Sequence, residues 1–275
     1  MRLDRALVAR GFFRSRTEAQ RAIDGGAVTV AGVIASKPSM KVTENDRIDA
    51  EPQRYVSRGA RKLLGALDHF SPQGLVVADA ECADLGASTG GFTQVLLERG
   101  ARRVIAVDVG TDQLSPELVG DPRVESREQT NIRAEDSRRE GDKVALVTAD
   151  LSFISLTVVM PQMLQWLIPD GDFLVLVKPQ FEVGRERLGK GGVVRDLEHR
   201  ISAISSVARA VHNEGAQIYG IVRSMVPGPH GNVEFFLWGA LSGESGTLVH
   251  EPRRRPQPLS DDALDEAIRK EVVRT

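Results

Sequence analysis

An α/β fold built on a mainly parallel sheet is predicted for most of this 275-residue chain, preceded by a small α+β unit. Three observations predict it. From residue 81 onward, strand-like apolar runs (ECADLG, RVIAVDV, KVALVTADLS, FLVLVK) alternate with helix-like segments (FTQVLLERG, SLTVVMPQMLQWL, LEHRISAISSVARAVHNEG). Apolar runs without in-and-out alternation mark strands buried on both faces. The last two strand-like runs, AQIYGIV and NVEFFLW, are joined only by RSMVPGPHG, which is too short for a helical crossover. They are therefore expected to pair antiparallel at the sheet edge.

The small unit is read as follows. Leu3, Ala6 and Leu7 share one helical face, with Arg2, Arg5 and Arg10 largely elsewhere, and Gly11 ends that helix. Ser15-Arg16-Thr17-Glu18 fits a capping box that opens a second helix, which runs to about Asp24 and stops at Gly25-Gly26. AVTV, Gly32 and VIA read as a short hairpin, Lys37-Pro38 breaks it, and Arg47-Ile48 begins a returning strand. Residues 1–50 form this unit and 51–57 a polar joint. Residues 58–241 form the α/β domain, with Leu63, Leu64 and Leu67 against Arg58, Arg61 and Lys62 on its first helix. Residues 242–258 lack periodicity and read as flexible. Ser260 caps a final helix striped by Leu264, Ile268 and Val272, so 242–275 is expected as a flexible segment with a short helix.

Charge is distributed unevenly. Residues 1–62 carry 13 Lys and Arg against 7 Asp and Glu, while the whole chain has a net charge of −2. A basic front on an acidic body points to contact with a polyanion. No run reaches the roughly 20 apolar residues of a membrane helix, and the N-terminus lacks a signal-peptide core. A cytoplasmic protein is expected. The single Cys82 excludes an intrachain disulfide and reads as a small buried hydrophobe. The five histidines are scattered, so no metal site is expected.

DLGASTGGF (84–92) places a glycine-rich turn after the first strand, where doubly wound sheets bind ligands. Its spacing fits the dinucleotide fingerprint poorly, with Ser88 at the second glycine site. Asp108 follows Asp84 by 24 residues, where an acidic residue takes ribose hydroxyls. The turn and Asp108 together suit an adenosine-bearing ligand without choosing between NAD and S-adenosylmethionine. Asp150 ends another strand and faces the same place. Lys178 ends the apolar FLVLVK run, where it is either a snorkelling surface lysine or a partly buried amine with lowered pKa, able to act as a base. Glu234 interrupts an apolar edge strand in the same way.

Two resemblances follow. The pattern R-L-D…S-R-x-x-A…G-x-V-x-V-x-G…K-P…D-x-I over residues 2 to 48 resembles the small RNA-binding domain named after a small-subunit ribosomal protein. In that domain an arginine-bearing helix pair lies on RNA phosphates, which assigns Arg2, Arg14, Arg16 and Arg21 to RNA. The ordered set SRGARKL, DLGASTGGF, AVDVG, ADLSFISL, LVKPQFEVG and GNVEFFLW closely resembles the TlyA family, which joins that domain to a methyltransferase domain of the FtsJ kind.

The resemblance implies a class I (Rossmann-like) methyltransferase fold and a cytidine 2′-O-methyltransferase that uses S-adenosylmethionine on ribosomal RNA. It implies a Lys-Asp-Lys-Glu tetrad at Lys62, Asp150, Lys178 and Glu234. Lys178 is then the base or alkoxide stabiliser, Lys62 depresses its pKa and helps hold the ribose, and the two carboxylates orient the lysines. Gly86, Ser88, Gly90, Gly91, Phe92, Asp108 and Asn131 are the expected cofactor residues. The loop 181–196, rich in glycine and basic residues, is expected to cover the target nucleotide. Some family members carry a basic extension ahead of the first helix, associated with action on both ribosomal subunits. This chain starts at Met1-Arg2-Leu3, so large-subunit RNA is the favoured substrate and small-subunit RNA a possible one. A monomer is expected. The rival readings are a haemolysin-like membrane-active protein, a non-catalytic rRNA-binding assembly factor, and an NAD-dependent oxidoreductase.

Overall fold

The computed structural model describes residues 1–50, 54–134, 138–139, 141–189, 191–228, 231–242 and 255–274. The small N-terminal domain begins with α1 (Leu3–Ala9) and α2 (Arg16–Asp24). Ser15 Oγ accepts from the Glu18 amide at 3.2 Å, and Glu18 reaches back to the Arg14 amide at 3.0 Å. This capping satisfies donors that no helical carbonyl can reach. β1 (Val28–Val30) and β2 (Val33–Ile34) form a hairpin across Ala31-Gly32, and β3 (Ile48–Ala50) pairs on the other side of β1. Both turn residues have positive φ, which suits a two-residue hairpin. Leu3, Leu7, Ala19, Ile23 and Val28 close this domain's core.

The larger domain follows residues 51–53 of the expected joint, which lie outside the described residues. Its sheet contains β4 (Glu81–Leu85), β5 (Arg103–Val107), β6 (Val124–Arg127), β7 (Val144–Ala149), β8 (Leu167–Val177), β9 (Ala216–Arg223) and β10 (Phe235–Leu241). The strand order is β6-β5-β4-β7-β8-β10-β9. The ladders from β6 through β8 are parallel, and β10 runs antiparallel to both of its neighbours. The expected antiparallel pairing of the last two strands is present, but NVEFFLW is not an edge strand. β10 inserts between β8 and β9 and is buried along nearly its whole length, which accounts for its apolar sequence. β6 is an edge strand that the apolar pattern did not single out, because its VESR is only partly buried.

Helices cover both faces. α3 (Arg58–Phe70) and α4 (Gly91–Glu98) pack on one face through Leu63, Leu67, Phe70, Val95 and Leu96. α6 (Leu156–Leu164), α8 (Leu197–Asn213) and α9 (Asp261–Val273) pack on the other through Val159, Met163, Ile204, Val207 and Ile268. Two shorter helices, α5 (Pro116–Val119) and α7 (Pro179–Glu182), complete the set used below. Strand order reverses between β4 and β7, and a crevice opens at their carboxyl ends.

The helix expected through Leu167 ends at Leu164, since β8 begins earlier than its most apolar stretch suggests. Cys82 is fully buried within β4, as a small hydrophobe would be.

Residues 243–254 of the expected flexible segment lie outside the described residues. Beyond them the chain is fastened to the sheet. Arg255 bonds Asp172 Oδ1 at 2.8 Å and the Asp170 carbonyl at 2.6 Å, and Trp238 donates to the same Asp172 oxygen at 3.0 Å. Leu259 donates to the Ile218 carbonyl at 2.8 Å, and Ser260 caps α9 as expected. Leu264, Ile268 and Val272 are buried in the main core. Ile268→Ala should therefore lower the unfolding free energy by about 2–5 kcal/mol in urea titrations. A loosely attached helix would leave the midpoint unchanged.

Candidate active site

The turn after β4 is shaped by its neighbours. Gly86 has φ +84, and a Cβ there would meet the Asp150 carbonyl oxygen and Leu151 Cδ2, each at 3.0 Å. The Gly86 and Ala87 amides both donate to the Val107 carbonyl, which ties the turn to the end of β5. Asp108 accepts from the Ser88 amide at 2.8 Å and from the Gly110 amide at 2.7 Å. Its carboxylate thus joins the two loops that follow β4 and β5.

Two cavities meet here. One, about 450 Å³, is lined by Asp108, Asn131, Leu151 and Phe153 among others. The other, about 330 Å³, is lined by Lys62, Phe92, Asp150 and Lys178 together with Ser57, Arg58 and Asp24. Gly86, Ser88, Asp150 and Ser152 line both.

The expected cofactor residues divide between these cavities. Asp108 and Asn131 belong to the first; Gly91 and Phe92 to the second. Gly90 lines neither. It has φ +94 at the start of α4, and a Cβ would lie 2.2 Å from Leu118 Cδ1. Gly91 presses α4 onto α3, where a Cβ would fall 2.1 Å from Ser57 Oγ. Asn131 Oδ1 accepts from the Arg133 amide at 3.0 Å, so it also builds its own turn.

The four expected tetrad residues come together from four separate parts of the domain. Lys62 projects from α3, Asp150 follows β7, Lys178 follows β8 and Glu234 precedes β10. Lys62 Nζ lies 2.7 Å from Glu234 Oε2, and Lys178 Nζ lies 2.7 Å from Asp150 Oδ1. Lys62 and Lys178 are buried and Glu234 fully so. Burial works against the Lys62 ammonium, but Asp150 and Glu234 outweigh it and hold its pKa above the ordinary lysine value. Burial likewise works against the Asp150 carboxylate, but Lys62 and Lys178 outweigh it and hold its pKa below the ordinary range.

Supporting residues were not singled out from the sequence. Lys178 donates to Ser152 Oγ at 2.8 Å, and Gln180 donates to Glu234 Oε1 at 3.1 Å. Glu182 accepts from the Leu156 amide and from Ser155, which fastens α7 to the start of α6. Ser152, Gln180 and Glu182 all lie inside the quoted motifs, so motif membership was the available signal. Phe153 is 92% exposed with φ +64 at the cavity mouth, and its ring is 5.3 Å from that of Phe181.

On the small domain, buried Asp4 accepts from Arg2 at 3.0 Å, Arg16 at 2.8 Å and Gln20 at 3.1 Å. The hydrogen bond from Arg2 first, and then Arg16, hold its carboxyl far below the usual range. Asp4 thereby fixes two of the expected RNA-binding guanidinium groups. Arg14 and Arg21 are exposed. Arg10, at the same helix junction, is exposed and donates to the carbonyls of Thr43, Glu44 and Asp46.

The architecture is a methyltransferase-like fold with a mixed sheet and a small N-terminal α+β domain. A family model for the FtsJ-like methyltransferase matches residues 55–241, and one for the S4 domain matches residues 1–48. The 16S/23S rRNA (cytidine-2′-O)-methyltransferase TlyA of Mycobacterium tuberculosis is 47% identical, over 86% of this chain and 88% of its own length. The putative rRNA methyltransferase YqxC of Bacillus subtilis is 40% identical, over 91% and 90%. A solved structure, a putative hemolysin from Streptococcus thermophilus, superposes with a TM-score of 0.70 at 35% identity, covering 98% of this chain and 95% of that one. The chain belongs to the TlyA family, an S4 domain joined to an FtsJ-like methyltransferase domain. Among the described residues, no helix is long and apolar enough to cross a membrane.

One further acid lies beneath the site. Asp84 is fully buried; its Oδ2 accepts from the Thr93 amide and hydroxyl at 2.8 and 2.7 Å, and its Oδ1 is buried without a partner among the described residues. Burial, opposed by the Thr93 bonds, pushes its pKa up to about 7. The native carboxyl keeps its proton above about pH 4, where the unfolded one has lost it. Its stabilising contribution is therefore full at low pH and is lost as pH rises through about 7. Asp84→Asn removes that loss. The melting-temperature difference should move in favour of the variant between about pH 5 and about pH 8. A difference independent of pH would contradict this assignment.

Proposed function

We propose that this protein transfers a methyl group from S-adenosylmethionine to the ribose 2′-hydroxyl of a cytidine in ribosomal RNA, on a class I (Rossmann-like) scaffold. The observation that carries this reading is the pairing of two buried lysines with two carboxylates where the two cavities meet. The glycine cradle at Gly86 and the carboxylate of Asp108 fit a ligand with an adenosine and an amino-acid end. Gly86, Ser88 and Gly91 would give close backbone access, with Phe92 as an apolar wall. Asp108 would accept from ribose hydroxyls, and Asn131 would lie toward the base. Gly90 serves by holding the turn. Bound S-adenosylmethionine supplies an already activated methyl, so the protein's task is alignment and handling of one proton.

Lys178 would take that task. It would contact the 2′-oxygen and, as the neutral amine, receive its proton, or, as the ammonium paired with Asp150, stabilise the developing alkoxide while the proton passes to water. Asp150 and Ser152 fix its direction. Lys62, held by Glu234, keeps a positive charge in the pocket, and Gln180 keeps Glu234 in place. Arg2, Arg14, Arg16 and Arg21 would lie on RNA phosphates, where such contacts position the strand without specifying sequence. The loop 181–196 would cover the target nucleotide. Phe153 offers an exposed face for stacking on a base turned out of its helix.

Lys178→Ala should lower kcat by roughly 10²–10⁴-fold while calorimetry shows unchanged cofactor affinity. Transfer at the wild-type rate would remove Lys178 from the mechanism. The function itself is tested with tritiated S-adenosylmethionine and unmodified large and small ribosomal subunits. Reverse transcription at low nucleotide concentration maps any 2′-O-methyl group. Label on a large-subunit cytidine is expected. The M. tuberculosis relative is named for both 16S and 23S RNA, which favours the small subunit as a second substrate. Cofactor binding without label on either subunit would refute ribosomal RNA as substrate, and no cofactor binding would refute methyl transfer.

A further inference from the structure

One cation of the catalytic pocket has no part in the mechanism above. Arg58 opens α3, one turn before Lys62, and lines the 330 Å³ cavity. Its Nη1 is buried with no hydrogen-bond partner among the described residues. Asp24, Glu234 and Asp150 act on it through charge, but Glu234 and Asp150 already pair with the two lysines. Burial therefore prevails and holds the Arg58 guanidinium below the ordinary arginine range. A planar five-donor fork is poorly matched to such a place unless an oxyanion completes it.

The third carboxylate, Asp24, comes from the small domain. It ends α2 and lines the same cavity. Asp24 is exposed to solvent and acts on Arg58 through charge. The following turn is pressed onto the catalytic helix: a Cβ on Gly26 would lie 3.1 Å from Arg61 Cδ and 3.3 Å from Arg58 Cγ. The small domain thus contributes Asp24 to the lining of the catalytic pocket and packs on the stem of Arg58.

We propose that Arg58 binds a backbone phosphate of the RNA strand beside the target ribose, in the cavity that Asp24 also lines. The inference rests on the RNA methyltransferase reading and adds a contact to it. Docking of RNA on the small domain and seating of the ribose are then one event, because the same domain positions Arg58. A cofactor carboxylate has the same oxyanion chemistry. Gly86, Ser88, Gly91 and Phe92 line this cavity as well, so the experiment below separates the two oxyanions; the RNA phosphate is favoured because Asp24 of the RNA-binding domain lines the cavity together with Arg58.

The test compares full-length wild type, Arg58→Ala, Arg58→Lys and Asp24→Asn on unmodified large subunits. Steady-state methylation, filter binding over a graded KCl series and calorimetric titration with S-adenosylmethionine are measured. Arg58→Ala should raise KM for subunits about tenfold and reduce the salt slope of binding by about one, with unchanged cofactor affinity. Arg58→Lys should recover part of KM, and carries the test if the alanine variant does not fold. Asp24→Asn should lower KM, since a competing carboxylate is gone. Unchanged KM and salt slope in both Arg58 variants would overturn the proposal. So would loss of cofactor affinity with RNA binding intact, which would assign Arg58 to the cofactor carboxylate. Absence of methyl transfer by the wild type would instead count against the function reading.

Discussion

The buried Lys62–Glu234 and Lys178–Asp150 pairs are the constraint on which the rest of the structure depends. Each joins a residue from one part of the chain to a residue from a distant part, at 2.7 Å. Pairs of this kind are weak evidence of stability, because taking the charges out of water offsets most of their attraction. Apolar residues could fill the same space at no loss of stability. On the function proposed above, what they could not supply is two lysine amines for a ribose oxygen. The expense of burial is met locally, by Ser152 and Gln180 as additional hydrogen-bond partners.

The sheet topology follows from this requirement. β10 lies between β8 and β9, which brings Glu234 beside the end of β8 and within reach of α3. α3 in turn is pressed against α4 at Gly91 and against the small domain at Gly26. The helix that carries Lys62 is therefore held from both domains. The small domain uses the same electrostatic device on its outer face, where buried Asp4 holds Arg2 and Arg16 in fixed directions. Preorganised cations reduce the entropy lost on binding a phosphate chain.

Much of this arrangement was legible in the sequence. Apolar runs without alternation revealed the buried strands, and Ser15 and Ser260 revealed two helix starts. Asp150 and Lys178 stood out as charges at the ends of apolar runs and Glu234 as a charge interrupting one, whereas Lys62 was assigned only by the family resemblance. Other features had no local signature. VESR is too polar to read as a strand, and its place at the sheet edge explains why. Glu234 was placed in an edge strand, because linear sequence does not disclose that the last strand inserts between its predecessors. Arg58 and Asp24 lie in separate domains, and only the packing of Gly26 on α3 brings them to one cavity. Glycines 90 and 91 read as cofactor contacts, yet Leu118 and Ser57 already account for their lack of a side chain.

The most direct test of the central claim is a double-replacement cycle on Lys62→Met and Glu234→Gln. Folding stability in urea and methyl transfer would be measured for both single variants and for the double variant. If the pair is kept for chemistry rather than stability, each single change destabilises by roughly 3–5 kcal/mol, the double variant regains most of that loss, and it still fails to transfer methyl. A double variant that methylates at the wild-type rate would contradict the account.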